Sequence, residues 1–324
     1  MFFAGPRAGA LAMLEEPMDA VSVIVPHYGD PQPALALLTL LHGQKDTGAL
    51  QFIVVDDCSP VPFPDTDGVT VVRRAVNGGF GSAVNSGAAV AEHPLLLILN
   101  SDLEIGPTFI SDLVRAARPW QPAVASPQVL GHNGAPQWVG RHFPTVHHQV
   151  TEWLTPLARW RHLPVLHEMV GHDTRCKDGA VIPVDWVMGA AMLVPAREFR
   201  AAGGFDEKFF MNSEEVDLQR RLRQRGVPSV FIGTVSMRHE GGGSSDSTRR
   251  RQWLVDSRKL YAEKWENPRA LQAGLAAATV ANLAVNTVRR LAGTPVRPLE
   301  VARTEWHLLR SGKRDGPTTN GAIR

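Results

Sequence analysis

Acidic residues standing directly behind apolar runs are where this sequence could do chemistry. Asp56 and Asp57 follow Phe52-Ile-Val-Val55, and Asp102 follows Leu95-Leu-Leu-Ile-Leu99 across Asn100 and Ser101. A carboxylate at the end of a buried strand loses solvation unless a cation or a donor meets it. Such positions suit ligand or metal binding, and equally suit capping of the turn that follows. A second group, Phe209-Phe-Met-Asn-Ser-Glu214-Glu215-Val-Asp217, sets three acids in four residues behind large apolar side chains. Acids are favourable at a helix N-terminus through its dipole. Apolar neighbours also raise a carboxyl pKa toward the range useful in a general base. His239 ends another apolar run just before Gly241-Gly-Gly243. A lone histidine is more often structural than catalytic, and its strand-end position beside a glycine loop draws it toward the site.

Alternating strands and helices must position these groups. Val21–Val25 reads as a buried parallel strand ended by Pro26, followed by a helix over Pro33–Gln44 with leucines at helical spacing. Strands over Phe52–Val55, Val69–Val72 and Leu95–Leu99 follow, with a small-residue helix over Gly79–Ala91. The order predicts an α/β fold, a doubly wound sheet with its site at the carboxyl ends of the strands. Further on, the pattern predicts a helix over Thr108–Ala117 and strands over Ala123–Val129, Val184–Val194 and Ser229–Met237. It adds helices over Ala196–Ala202, Glu214–Arg225, Arg249–Lys264 and Leu271–Leu291. Residues 1–19 read as a disordered lead-in, Gly241–Ser247 as a flexible break, and the tail from Ser311 as disordered.

Bulk composition excludes several classes. With 324 residues, 44% hydrophobic, the chain can bury a sizeable core. A formal charge of +2 gives no global field for nucleic acid. Two cysteines, Cys58 and Cys176, exclude a disulfide scaffold and a four-cysteine zinc site, and fit a reducing cytoplasm. The N-terminus lacks an apolar core of signal-peptide type. Leu271–Val288, interrupted by Gln272, Asn282 and Asn286, reads as too polar and barely long enough to span a bilayer.

Eight stretches, in order and spacing, resemble the inverting family 2 glycosyltransferases of GT-A fold, within them the rhamnosyltransferase-like branch. They are Val21-Ser-Val-Ile-Val-Pro-His-Tyr28, Phe52-Ile-Val-Val-Asp-Asp-Cys-Ser59, Asn77-Gly-Gly-Phe-Gly-Ser-Ala-Val-Asn85 and Leu97-Ile-Leu-Asn-Ser-Asp102. Val184-Asp-Trp-Val-Met-Gly-Ala-Ala-Met-Leu193, Gly203-Gly-Phe-Asp206, Phe209–Leu218 and His239 complete them. The resemblance implies a GT-A catalytic domain over residues 20–245, a Rossmann-like mixed sheet with flanking helices. An acceptor-side insert at 131–182 and a C-terminal helical extension from 246 to 324 would accompany it.

By that resemblance Pro26, His27 and Tyr28 line a nucleobase pocket, and Asp57 accepts a hydrogen bond from a uracil or thymine imide. Asn77, Gly79, Phe80 and Asn85 shape the nucleotide site. Asp102 takes the last place of the family's Asp-X-Asp motif and binds Mg²⁺ or Mn²⁺ at a diphosphate, with His239 completing the metal site. Asn100 and Ser101 stand where the family's first two motif residues lie. Glu215 is the implied base that deprotonates an acceptor hydroxyl, with Glu214 orienting the acceptor or the loop. Which of the two is the base stays open, because Glu215 stands where the family usually has Asp. Asp217 would tie its helix to a neighbouring arginine. Gly189 would let substrate approach the backbone, and Trp186 would stack on a sugar ring.

The implied substrates are a nucleotide-diphospho sugar, dTDP-L-rhamnose first, and a glycan or lipid-linked acceptor in the cytoplasm or at the inner face of the plasma membrane. An inactive nucleotide-sugar-binding protein and a nucleotidyltransferase are the alternatives. A dinucleotide-dependent oxidoreductase is excluded, since Val25-Pro-His-Tyr-Gly-Asp30 lacks G-x-G-x-x-G. Seven of the twelve histidines (His132, His142, His147, His148, His162, His167 and His172) lie in the insert with Trp138, Trp153 and Trp160. Their irregular spacing does not read as a zinc motif, and suits an acceptor-binding segment or a surface loop. Arg249-Arg-Arg251, Arg289 and Arg290 read as a solvated helix face or as contacts to lipid phosphates. Leu275, Leu283 and Leu291 beside Arg289 and Arg290 are candidates for docking on a membrane or a second subunit.

Overall fold

The computed structural model describes residues 18–160, 163–239 and 247–311. The expected lead-in up to residue 17, the break at 241–246 and the tail from 312 lie outside them, as does His162.

The chain opens with β1 (Val21–His27), α1 (Gln32–His42), β2 (Leu50–Asp56), β3 (Val69–Arg73), α2 (Phe80–Ala89) and β4 (Leu95–Leu99). Next come β5 (Leu103–Glu104), α3 (Phe109–Ala117) and β6 (Val124–Leu130). β1 pairs in parallel with both β2 and β4, and β2 with β3, the pattern that helical crossovers produce. Every residue of β4 is buried, as its unbroken apolar run requires of a strand covered on both faces.

The insert is more ordered than its composition suggested. It holds β7 (Gly140–Arg141), α4 (Val146–Trp153), capped by the Thr145 side chain, and α5 (Pro164–Met169). The single strand expected over Val184–Val194 is three pieces, β8 (Val181–Val184), β9 (Trp186–Val187) and β10 (Ala191–Pro195). Asp185 and the Met188–Ala190 turn break the run, and its pieces join different partners. β8 pairs with β11 (Ser229–His239), β9 with β7 and β10 with β4. Between β10 and β11 lie α6 (Ala196–Ala201) and α7 (Glu214–Gln224).

The main sheet runs β3-β2-β1-β4-β10-β6-β11-β5, with β8 also on β11. β10 is antiparallel to β4, so the sheet is mixed and not wholly doubly wound. That antiparallel strand brings the start of β10 to the edge where β4 ends. The last two residues of β11 pair with β5, which sets His239 opposite Leu103.

Three helices close the described chain, α8 (Ser247–Trp265), α9 (Pro268–Leu291) and α10 (Pro298–Arg310). α9 is long and apolar enough to cross a membrane by length and composition, contrary to the sequence expectation. A third of its most apolar window is buried, against α4 and α10. Asn282, one of the residues that counted against a span, is buried and donates to Trp153 O and to the Glu305 carboxylate. Leu275 is buried as well and offers no docking surface, whereas Leu291 is exposed.

Candidate active site

The metal candidates meet at the ends of β4 and β11. His239 Nε2 lies 3.3 Å from Asp102 Oδ1 and 3.2 Å from Asn100 Nδ2. The Gln137 amide donates to His239 O at 3.0 Å, which turns its oxygen to within 3.1 Å of His239 Nδ1. The network therefore assigns the proton to Nδ1 and leaves Nε2 as an acceptor toward Asp102 and Asn100. A proton on Nε2 or a bound cation can join this imidazole to the carboxylate. Asp102 Oδ1 and His239 Nε2, with the Asn100 amide able to turn its oxygen inward, fit a divalent metal of mixed N/O preference. An outer hydrogen bond of this kind fixes the tautomer and orientation that a metal-binding histidine needs.

Across the Met188–Ala190 turn stands the start of α7. Asn100 N donates to Ala190 O at 2.9 Å. Adjacent Gly189 packs on Glu215, and a Cβ there would lie 3.6 Å from Glu215 Cβ and 3.8 Å from the Phe80 ring. Asn100–Asp102, Gly189, Phe80 and Glu215 thus lie in one contiguous set of contacts. Glu214 turns away, against Gly81 and Phe205, and is almost fully buried. Burial, and then Glu215 beside it, push its carboxyl pKa well above the glutamate value. Burial raises Glu215 too, opposed by the Arg141 charge. Each has an Oε2 buried without a hydrogen-bond partner. Position therefore favours Glu215 over Glu214 as the group facing substrate. The backbone before them is strained, since Asn212 and Ser213 both hold positive φ, 70° and 64°. This two-residue left-handed turn delivers both acids at the helix start.

Asp57 has work inside the protein. It accepts from Gly78 N at 3.1 Å and Gly79 N at 2.7 Å, and Arg74 Nε stands 2.8 Å away as an ion pair without hydrogen-bond alignment. These contacts take up most of its lone pairs, so Asp57 organises the Asn77–Phe80 loop. Gly79 then sits at φ 82° under the Phe210 carbonyl, where a Cβ would be 1.8 Å from the oxygen. The loop behind β3 and the loop before α7 are consequently locked together.

Several expected contacts take different forms. Asn85 lies inside α2, and its amide clamps the Phe205 backbone through both N and O, at 2.9 Å each. It positions the loop before the acids. His27 is buried, edge-on to Phe63 at 4.9 Å, and burial lowers its pKa, so it forms a neutral floor while Tyr28 is exposed. Trp186, expected to stack on a sugar, is 8% exposed, donates to His142 O and packs with Phe209, Val216 and Tyr261. It is a wall of the site. Asp217 binds Arg221 as expected, and also Lys264 and Trp265 of α8. Pro26 and Ser101 are partly buried, at the ends of β1 and β4.

Three residues escaped the sequence reading. Gln137 orients His239 across 102 positions, and Arg74 holds Asp57. Arg141 of β7 lies over the Trp186 ring, 5.5 Å from its centroid, with burial lowering its pKa against the opposing charges of Glu152 and Glu215. No local spacing marks such long-range partners.

Residues 22–163 match the sequence model of "Glycosyl transferase family 2". Two curated relatives, the N-acetylglucosaminyl-diphospho-decaprenol L-rhamnosyltransferases of Mycobacterium tuberculosis strains CDC 1551 and H37Rv, are each 28% identical over 193 residues. Those alignments cover 55% of this chain and 60% of the relatives, so the matched region spans about three fifths of their length. The crystal structure of GalNAc-T7 with UDP, GalNAc and Mn2+ superposes with a TM-score of 0.52 at 12% identity, over 76% of this chain and 51% of that one. Residues 22–163 thus resemble glycosyl transferase family 2 in sequence, and by structure the chain has a GT-A-like fold.

Proposed function

We propose that this protein is an inverting, metal-dependent glycosyltransferase that moves a sugar from a nucleotide-diphospho donor to a hydroxyl of a glycan or lipid-linked acceptor. The single observation that carries the reading is the continuity of the Asn100–Asp102–His239 cluster with Glu215 across Gly189 and Ala190. L-Rhamnose from dTDP-L-rhamnose is the first donor to test, because both relatives are L-rhamnosyltransferases acting on a diphospho-decaprenol sugar. A lipid-linked acceptor would place the enzyme in the cytoplasm, peripherally at the inner face of the plasma membrane. Exposed Val280, Val288 and Leu291 on α9 beside Arg289 and Arg290 support that placement.

In this reading Asp102 and His239 would hold Mg²⁺ or Mn²⁺, which when bound would supply charge to offset that of the departing nucleoside diphosphate. Glu215 takes the proton of the acceptor hydroxyl as its oxygen bonds the anomeric carbon and the carbon–oxygen bond to phosphate breaks. Attack from the face opposite the phosphate inverts the centre, through an oxocarbenium-like transition state. Tyr28, Asn77 and Phe80 border the donor, with Asp57 setting the shape of that border.

The test is a thermal-shift screen of nucleoside-diphospho sugars with and without Mn²⁺, followed by nucleoside diphosphate release with polyprenyl-diphospho-sugar acceptors. A donor at 100 times its Kd should stabilise by about 2.7 kcal/mol. Absence of any shift with all pyrimidine-diphospho sugars would overturn the proposal.

A further inference from the structure

The insert carries a second cluster, away from Asp102 and His239. His142, Glu168 and Asp173 each present one ligand atom, all within 4.8 Å of one another. They come from the end of β7, from α5 and from the turn that follows it, so only the fold unites them. His142 Nε2 is 2.8 Å from Glu168 Oε2. A second imidazole, His148 of α4, has its ring centroid 6.3 Å from that of His142. Its Nδ1 is buried without a hydrogen-bond partner and packs against Gly171, between Glu168 and Asp173 in the chain.

We infer that His142, Glu168 and Asp173 form a structural site for a divalent transition metal of the zinc type, with His148, which lies outside that group, turning in as fourth donor. The donor set of two imidazoles and two carboxylates is one that Zn²⁺ accepts, at roughly 2.0–2.2 Å per bond and therefore about 3.3 Å between neighbouring donors. The distances observed require the His142–Glu168 pair to open by about half an ångström on that geometry. Outer partners are already in place. The remaining oxygen of Glu168 accepts from Thr174 N at 2.8 Å and from the Thr174 hydroxyl. His142 Nδ1 faces Asp185 Oδ2 at 3.7 Å. Carboxylates and donors that touch the ligands in this way fix tautomer and orientation in metal sites.

Arg175 currently pairs with both oxygens of Asp173, at 2.9 and 2.6 Å, yet its own side chain is 65% exposed. A metal would replace this guanidinium at the buried Asp173 carboxylate, and Arg175 has open solvent to move into. A metal here would staple α4, β7 and α5 together. That would fix Arg141, the residue before His142, beside Trp186 and Glu215.

The site is independent of the glycosyl-transfer reading, and its test does not use activity. Tag-free full-length Asp102→Asn protein, stripped with chelator, is dialysed against buffered micromolar Zn²⁺ and its metal content measured. One equivalent should remain, with a Zn²⁺-dependent rise in Tm. In the same background His142→Ala and Glu168→Gln should each weaken binding by 10-fold or more in competition with a chromophoric chelator. Glu168→Gln keeps volume and can still accept from Thr174, and circular dichroism verifies that each variant is folded. Should His142→Ala fail to fold, His148→Asn replaces it. No retained zinc in Asp102→Asn protein, or unchanged affinity in folded Glu168→Gln, reduces the cluster to an internal ion-pair network and overturns the inference.

Discussion

The imidazole of His239 and the carboxylate of Asp102 meet at 3.3 Å with the ring nitrogen's lone pair turned toward the oxygen, because Gln137 holds the proton on the far side. A proton or a metal ion on Nε2 joins the two groups, and the metal is the case put to test. Asp102→Asn should therefore abolish the Mn²⁺-dependent thermal shift with nucleoside diphosphate. It should also lower sugar transfer by at least about 10²-fold, the several kcal/mol that a metal at the leaving group supplies. Gln137→Leu frees the tautomer and should weaken metal affinity roughly 10- to 100-fold. Metal titrations with equal affinity in all three proteins would refute the role of the pair.

Glu215 and Glu214 separate in two assays. Glu215→Gln should reduce kcat by about 10²- to 10⁴-fold, the range for a lost general base. Its pKa is raised by burial, with Arg141 opposing. The acidic limb of the rate profile should accordingly lie above the ordinary glutamate range and vanish in Glu215→Gln. An equal loss in Glu214→Gln with an active Glu215→Gln would transfer the role.

Glu214 makes the opposite prediction for stability. Its folded-state pKa is raised, by burial first and by Glu215 second. The folded chain therefore binds more protons than the unfolded chain, and stability falls as pH rises above the unfolded glutamate value. Glu214→Gln removes that loss. Its Tm should exceed that of the parent at pH 8, and the difference should shrink toward pH 4. A Tm difference that does not change with pH would contradict the buried-carboxyl account.

How much of this was legible beforehand follows from the distance over which each signal acts. β1, β2 and β4 are continuous apolar runs, so strands and the acids behind them were readable from local pattern. The carboxyl-edge position of Asp57 and Asp102 came with them. Val184–Val194 misled because its apolar residues serve three different strand pairings, and periodicity does not say which partner a strand will take. Trp186 and Asn85 have side chains suited to a sugar or a base, and their burial against the insert and Phe205 is decided by contacts 44 and 120 residues away. The insert's histidines failed as a motif for the same reason, since the loop between His142 and Glu168 hides their adjacency.

Gly79→Ala should be among the most damaging small substitutions in the chain. Its φ of 82° with ψ 178° belongs to a region nearly restricted to glycine. A Cβ would also overlap the Phe210 carbonyl at 1.8 Å. Gly203 has the same φ of 82° and nothing within 4 Å of a Cβ. Gly203→Ala should then show the conformational term alone, about 1–2 kcal/mol, and Gly79→Ala distinctly more, at least about 3 kcal/mol with overpacking added. Urea denaturation of the two variants side by side measures the difference, and equal midpoints would show that the Phe210 loop yields freely.

Asp217 ties the C-terminal helices to the acidic loop. It is fully buried, and Arg221 Nε, Lys264 Nζ and Trp265 Nε1 reach it at 2.9, 2.7 and 2.7 Å. Two of these come from α8, whose Ser257 also donates to Met211 O, directly before the strained Asn212–Ser213 turn. Asp217→Ala leaves two cations and an indole N–H without their acceptor. It should destabilise by about 3 kcal/mol, as breaking a buried ion pair does, lowering Tm by roughly 6–12 °C for a domain of this size. The exposed pair Arg297–Glu300 is the control, and Glu300→Ala should change stability by no more than about 0.5 kcal/mol. Because Asp217 sits one turn from the acids and touches no substrate surface, Asp217→Ala should loosen the acid loop as well as the fold. Proteolysis near Asn212 and Ser213 should accelerate before global unfolding begins. Cleavage that only tracks global unfolding would mean α8 is a separately stable appendage, and the acid loop does not depend on it.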